Sequence, residues 1–195
     1  MNGRPMTLPK IAIVIGTTRP SRFADKPANW IMEMAAQRRD AEFEIVDLRD
    51  FDLPLFAEKR APIYSPPEHP VAVAFSERMK AFDGFIFITA EYNHSISGAL
   101  KNALDYLYSE MTRKPAACVA YGGVGGARAV EHLRLIAVEL QMAPVRSAVH
   151  IGLFELRALL RDGSFDDYPY LGTAAETMLD DVVWWSRTLK AGRAD

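Results

Sequence analysis

Thr17, Thr18, Arg19, Ser21 and Arg22 crowd hydroxyl and guanidinium donors into one short turn, directly after the apolar run Lys10-Ile11-Ala12-Ile13-Val14-Ile15-Gly16. A phosphate monoester is close to a dianion. At the start of a helix it is held by free backbone N–H groups, the positive helix end, hydroxyls and guanidinium forks. This turn supplies all of those donor types, with Phe23 behind it. Each charge-assisted bond contributes roughly 1.5–3 kcal/mol, so two or three carry much of the ~8 kcal/mol of a micromolar complex. The same residues also suit an ordinary polar turn in which Ser21 caps a helix and both arginines are solvated. Locally, both readings stand.

A second polar crossing follows the apolar run Gly84-Phe85-Ile86-Phe87-Ile88, in Thr89-Ala90-Glu91-Tyr92-Asn93-His94-Ser95-Ile96-Ser97. His94 beside Ser95 and Ser97 invites a base-and-nucleophile reading, but neither serine sits in a Gly-x-Ser-x-Gly elbow. No Gly-Lys-Ser or Gly-Lys-Thr is present for a nucleoside triphosphate loop. Gly123-Val124-Gly125 places Arg128 where the last glycine of a dinucleotide fingerprint would stand, and it follows a late strand. His69, His132 and His150 are isolated, and no Cys/His cluster has the spacing of a zinc site.

The elements that position these turns follow from periodicity. Ala24, Pro27, Ala28, Ile31, Met34 and Ala35 form one helical stripe, with Pro27 in the first turn. Glu42 to Leu48 alternates as a second strand. The stretch from Phe51 to Pro70 carries Pro54, Pro62, Pro66, Pro67 and Pro70, which forbid a long helix or central strand; it is expected as a rim beside the pocket. Val71–Phe82 reads as a helix, Phe85–Thr89 as the third strand and Ser97–Tyr108 as a helix. Ala116–Tyr121 is the fourth strand, feeding Gly122 and Gly123; a helix over Ala127–Leu140 and a short fifth strand over Val145–Val149 follow. The last helix is expected to bury Ala175, Met178, Leu179, Val182, Trp185 and Leu189. Strands alternating with helices predict an α/β architecture: a doubly wound, five-stranded parallel sheet in flavodoxin-like order, helices on both faces, formed as a single domain over residues 1–195. Such sheets bind ligands past the carboxyl ends of their strands, so both polar turns open on one edge.

Two motifs together resemble the NADPH-dependent FMN reductase family of the flavodoxin-like fold, which includes quinone and azo-dye reductases. They are the Gly-Thr-x-Arg-x-x-Arg turn at Gly16 to Arg22, and Glu-Tyr-Asn-x-Ser-x-x-Gly-x-Leu-Lys-Asn-Ala-x-Asp at Glu91 to Asp105. Members commonly carry proline before the Glu-Tyr-Asn; here that residue is Ala90, which relaxes the loop. The resemblance implies that Thr17, Thr18, Arg19, Ser21, Arg22 and Phe23 hold the FMN phosphate end. It also implies that Glu91, Tyr92, Asn93 and His94 lie along the isoalloxazine, and that Gly122 and Gly123 let a further loop approach its pyrimidine edge. NADPH or NADH would reduce the flavin, which then reduces quinones, azo compounds or free flavin; no protein acid or base is essential. The alternatives are a flavodoxin-type electron carrier and a non-catalytic flavin-binding protein. A homodimer or homotetramer is implied as well, and Ala99, Leu100, Ala103, Leu104 and Leu107 give their helix apolar surface beyond a single sheet contact. Lys101 and Asp105 are spaced as an i,i+4 pair.

Composition sets the outer bounds. With 23 basic and 25 acidic side chains the formal charge is −2, which suggests neither a nucleic-acid surface nor a strongly acidic docking face. A single cysteine, Cys118, excludes an internal disulfide and is expected as a small buried side chain. Met1 to Met6 lack the apolar core of a secretion signal, and no apolar run approaches the roughly 20 residues of a membrane span. A small-molecule partner, no membrane association and a cytoplasmic location are the expectations.

Overall fold

A computed structural model describes residues 7–193; the reading of the N-terminal hexapeptide lies outside them. In chain order the elements are β1 (Lys10–Ile15), α1 (Asp25–Ala36), β2 (Glu42–Asp47), a 3₁₀ turn (Leu48–Asp50), α2 (Pro70–Lys80), β3 (Gly84–Ala90), α3 (Gly98–Asp105) and β4 (Pro115–Tyr121). They continue with α4 (Ala127–Glu139), β5 (Ala143–Ile151), α5 (Leu153–Leu160), a second 3₁₀ turn (Phe165–Asp167) and α6 (Pro169–Arg193). The strands form one parallel sheet in the order β2-β1-β3-β4-β5, the predicted flavodoxin-like arrangement.

The central strands are apolar along their whole length because both faces are covered. Ile11, Ile13, Ile86, Ile88 and Val119 pack on one side against Ala28 and Ile31 of α1 and Ala175, Met178 and Val182 of α6. Ala12, Val14, Phe85 and Phe87 pack on the other against Phe75 and Met79 of α2, Leu100 and Leu104 of α3, and Val130 and Leu133 of α4. Burying each large side chain of this kind contributes about 1.5–3 kcal/mol. Cys118 is buried in β4 as expected, and burial pushes its thiol up to about 12.

Several expectations are corrected. In α6, Val183 and Ser186 are buried, whereas Trp185 is 38% exposed and Leu189 is half-buried. The inward stripe runs 175, 178, 179, 182, 186, and Trp185 stands edge-on to Trp184 at its border. Helix α5 was not anticipated, and β5 is longer than predicted. Of the five apolar residues of the α3 segment, Leu100, Ala103, Leu104 and Leu107 are nearly inaccessible within this one chain, and Ala99 is half-buried. Its Lys101–Asp105 pair forms as expected, at 2.6 Å.

The proline-rich excursion is tethered by α3. Asn102 accepts a bond from the Phe56 N–H and donates one to the Pro54 carbonyl, both at 2.8 Å, and the Tyr106 hydroxyl donates to the same carbonyl at 3.2 Å. No helix of the described residues is long and apolar enough to cross a membrane, and none of their acidic, His or Cys side chains group in threes as a metal site.

Candidate active site

Three turns at the carboxyl edge of β1, β3 and β4 enclose a cavity of about 270 Å³. The β1 turn contributes Arg19, Ser21, Arg22 and Phe23; the β3 turn contributes Glu91 and Tyr92; Gly122 follows β4. Ala90, Tyr121, and Leu156 and Leu160 of α5 complete the wall. The remaining candidates stand elsewhere. Thr17 is wholly buried, Thr18 borders a second cavity, and Asn93, His94 and Gly123 are exposed outside the wall. The proline-rich excursion does not line this cavity. Its Phe51, Asp52 and Leu53 border the second one, of about 390 Å³, with Arg49 and Asn102.

Arg22 is not the free cation that the motif suggested. Its guanidinium donates to both Asp47 oxygens (Nη1 to Oδ1 at 2.6 Å, Nη2 to Oδ2) and to the Thr17 carbonyl at 2.7 Å; Nε and Nη2 take Asp25 Oδ1 at 2.9 and 2.5 Å. The side chain is 2% exposed. With every fork spent, it holds the turn together and offers a phosphate nothing further. The Asp47 bonds and, less strongly, those to Asp25 hold Arg22 above even its ordinary range. Burial opposes ionisation of Asp47, but the bonds from Arg22 and the Arg49 N–H win and hold its carboxyl below the usual value. The sheet explains the meeting: Asp47 ends β2 in register with Ile15, beside the start of the turn. Arg49 adds bonds to the Arg19 and Pro20 carbonyls. Arg19, by contrast, makes no ion pair among the described residues; its guanidinium lies 5.8 Å from the Tyr92 ring centroid, bridging the two turns.

The β3 turn is held differently. Asn93 and His94 adopt φ of +48° and +76°, closing a tight turn in which Tyr92 and Ser95 exchange backbone bonds at 2.9 and 3.1 Å. Glu91 ties the turn to α4, its carboxylate accepting from the Arg128 backbone N–H at 3.1 Å and Nε at 2.5 Å. Burial raises and Arg128 lowers its pKa; the net result is a carboxyl held below its ordinary value. Ser97 then caps α3 through the Leu100 N–H at 3.0 Å while its hydroxyl donates to the Gly16 carbonyl, tying the two turns. Gly16 is required there: a Cβ would meet Leu100 Cδ2 at 2.9 Å and the Ile88 carbonyl at 3.0 Å.

These features fit a flavin mononucleotide. At Gly122, in the cavity wall, φ is +156° and a β-carbon would meet Glu91 Cβ at 3.0 Å, so only glycine fits there, whereas a β-carbon on Gly123 would find open space. Tyr121 contributes its nearly buried ring to the wall, with the wholly buried Thr17 next to its phenol. What sequence reasoning missed is the locking residues Asp25 and Asp47, the wall from α5, and Tyr121. An aspartate closing an apolar strand was the available signal for Asp47.

A five-stranded parallel sheet in this order, with its polar turns gathered on the carboxyl edge, defines a flavodoxin-like fold. The family pattern described as NADPH-dependent FMN reductase matches residues 9–155, and this chain belongs to that family. It is 35% identical over 147 residues to an NAD(P)H-dependent FMN reductase of Schizosaccharomyces pombe, 72% of each chain being covered. An NADPH azoreductase of Bacillus sp. is 32% identical over 179 residues, covering 89% of this chain and 88% of the relative. A solved flavoenzyme NAD(P)H:(acceptor) oxidoreductase from Paracoccus denitrificans shares the fold, with a TM-score of 0.70, 23% identity and coverage of 93% and 98%. The chain is an FMN-dependent NAD(P)H oxidoreductase.

Proposed function

We propose that the cavity between the β1, β3 and β4 turns is the flavin site of a single-domain reductase whose acceptors are flat quinones and azo compounds. When bound, FMN takes two electrons from a reduced nicotinamide and gives them up to the acceptor. Arg19 and Ser21 serve the phosphate end, Arg22 keeps their turn in shape, and Glu91, Tyr92 and Gly122 serve the ring. The observation that carries this reading is the convergence of three strand-end turns on one cavity whose only cation without a carboxylate partner is Arg19. Acceptors reduced by relatives support the substrate class: a 2-hydroxy-1,4-benzoquinone reductase of Burkholderia sp. is 34% identical over 140 residues. An oligomer would pair through α4, where Leu135 and Val138 are 72% and 61% exposed at i,i+3 spacing; light scattering reads that state.

The test is anaerobic mixing of flavin-loaded protein with NADPH or NADH, then with a quinone panel, while flavin absorbance is followed. Bleaching and recovery are expected; FMN that stays oxidised overturns the reductase reading. Arg19→Ala is expected to weaken FMN binding about 10-fold or more, the worth of one charge-assisted bond, with thermal stability nearly unchanged. Unaltered affinity would remove Arg19 from the phosphate site.

A further inference from the structure

His132 is isolated in the sequence, but the fold brings it to His94. Their ring centroids lie 5.8 Å apart with the planes inclined at 50°, and both residues are exposed. One comes from the second turn of α4 and the other from the β3 turn. Each ring is placed by something other than packing. His132 Nδ1 is hydrogen-bonded to Ser95 Oγ at 2.9 Å, which orients that ring and leaves Nε2 free. His94 is carried at φ +76°, in a turn closed by the two backbone bonds between Tyr92 and Ser95. A histidine is strained there, and strain kept where glycine would relieve it points to a task for the side chain.

Two neighbouring imidazoles suit a metal ion of borderline softness. Bound to one tetrahedral ion through metal–nitrogen bonds of about 2.0–2.1 Å, two imidazoles have ring centroids roughly 5–6 Å apart. The separation of His94 and His132 falls in that range. A ligating imidazole donates its second N–H to a nearby acceptor, and Ser95 Oγ stands where His132 needs one. Charge does not oppose the ion, because Arg128, one helical turn before His132, is paired with Glu91. Magnesium and calcium take oxygen ligands, whereas imidazole suits copper, nickel and zinc. No third His, Cys, Asp or Glu joins the pair among the described residues, so water completes the coordination shell.

We propose that His94 and His132 form a two-imidazole site for a divalent transition-metal ion, with Ser95 as the positioning residue for the His132 ring. The ion joins the β3 turn to α4 at a second point, in addition to the Glu91–Arg128 pair, and so stiffens a turn whose Glu91 and Tyr92 line the cavity. The site needs no bound flavin.

The experiment is calorimetric titration of untagged, flavin-free, full-length protein with copper, nickel, zinc or magnesium chloride at neutral pH. One ion per chain is expected, held most tightly for copper, with no heat from magnesium. Ser95→Ala should weaken zinc binding about 10-fold, the usual worth of an outer partner, and His94→Gln or His132→Gln at least as much. His69→Gln and His150→Gln remove imidazoles that stand apart and should change nothing. Melting supplies the second readout: zinc should raise the melting temperature of the wild type but not of His132→Gln, whose metal-free value stays near that of wild type. The absence of saturable zinc, nickel and copper binding overturns the site. So does zinc binding that survives both His94→Gln and His132→Gln, or that falls as much with His69→Gln, since either marks adventitious binding to surface imidazoles.

Discussion

The turns behind β1 and β3 meet at one cavity but are built on opposite principles. The β1 turn is shaped by charge: Arg22 gathers Asp25, Asp47 and the Thr17 carbonyl, and Arg49 pins the Arg19 and Pro20 carbonyls. The β3 turn is shaped by backbone, with Asn93 and His94 in left-handed conformations and Tyr92 bonded to Ser95. The difference suits their tasks. A phosphate needs cations aimed outward, and those survive beside a shared anion only if the inner cation is satisfied first. A ring edge needs N–H groups, which side chains would obstruct.

The largest effect is expected where the charge-built turn loses its centre. Arg22→Ala strands Asp47 and Asp25 together and should cost about 2–3 kcal/mol, short of a fully buried pair because Asp25 is half exposed. Urea unfolding measures this, and FMN affinity should fall with it. A variant of wild-type stability with weakened FMN binding would return Arg22 to the phosphate and undo the contrast.

Ser97→Ala attacks the joint between the turns. It removes the cap of α3 and the bond to the Gly16 carbonyl together, for an expected loss of about 1–2 kcal/mol in the same assay. Ser97→Thr, which keeps the hydroxyl, should recover most of it.

The backbone-built turn was the more legible of the two in the sequence. Its apolar strand, its motif and its capping serine are contiguous, so periodicity and spacing reveal them. The charge-built turn was misjudged at Arg22 because its partner Asp47 lies 25 residues along and arrives only through the parallel pairing of β1 with β2. Helix α5 escaped for another reason. Leu153, Phe154, Leu156, Leu159 and Leu160 leave so short a helix no polar stripe to set a period, and its role as a cavity wall depends on where β5 ends. The apolar residues of α3 were visible but not what covers them, since Asn102 holds the proline-rich excursion through a contact across 46 residues. Local rules thus recovered elements and strand-end turns, and failed where a side chain's partner comes from a distant strand.

Acid should separate the two turns only in part. Glu91 and Asp47 are both held below their ordinary values of 4.5 and 3.8. Each therefore contributes stability that is complete above those values and is lost as the pH falls through the lower folded-state values. Glu91→Gln is expected to cost about 1 kcal/mol at neutral pH, discounted because Arg128 is 45% exposed, and to flatten the acid decline of the melting temperature. A decline of unchanged steepness would show that Glu91 contributes nothing to it.

The smallest effect has the opposite sign and probes the backbone directly. His94 holds φ at +76°, a conformation that costs a side chain of this kind about 1 kcal/mol or more and glycine almost nothing. Replacement by glycine also loosens the unfolded chain, which returns about 0.4–1 kcal/mol of the gain. The net expectation for His94→Gly is a stabilisation of about 0.5 kcal/mol. His94→Ala keeps the strained conformation and should be no more stable than wild type, so the urea midpoints should run Gly above wild type and Ala at or below it. His94 is exposed, and its nearest aromatic neighbour, His132, is 5.8 Å away between ring centroids and bonded to Ser95 Oγ, so little packing confounds the comparison. Glycine and alanine variants of equal stability would mean that the turn does not store the strain its dihedrals imply, and that the β3 loop is held by its Glu91 and Ser97 anchors alone.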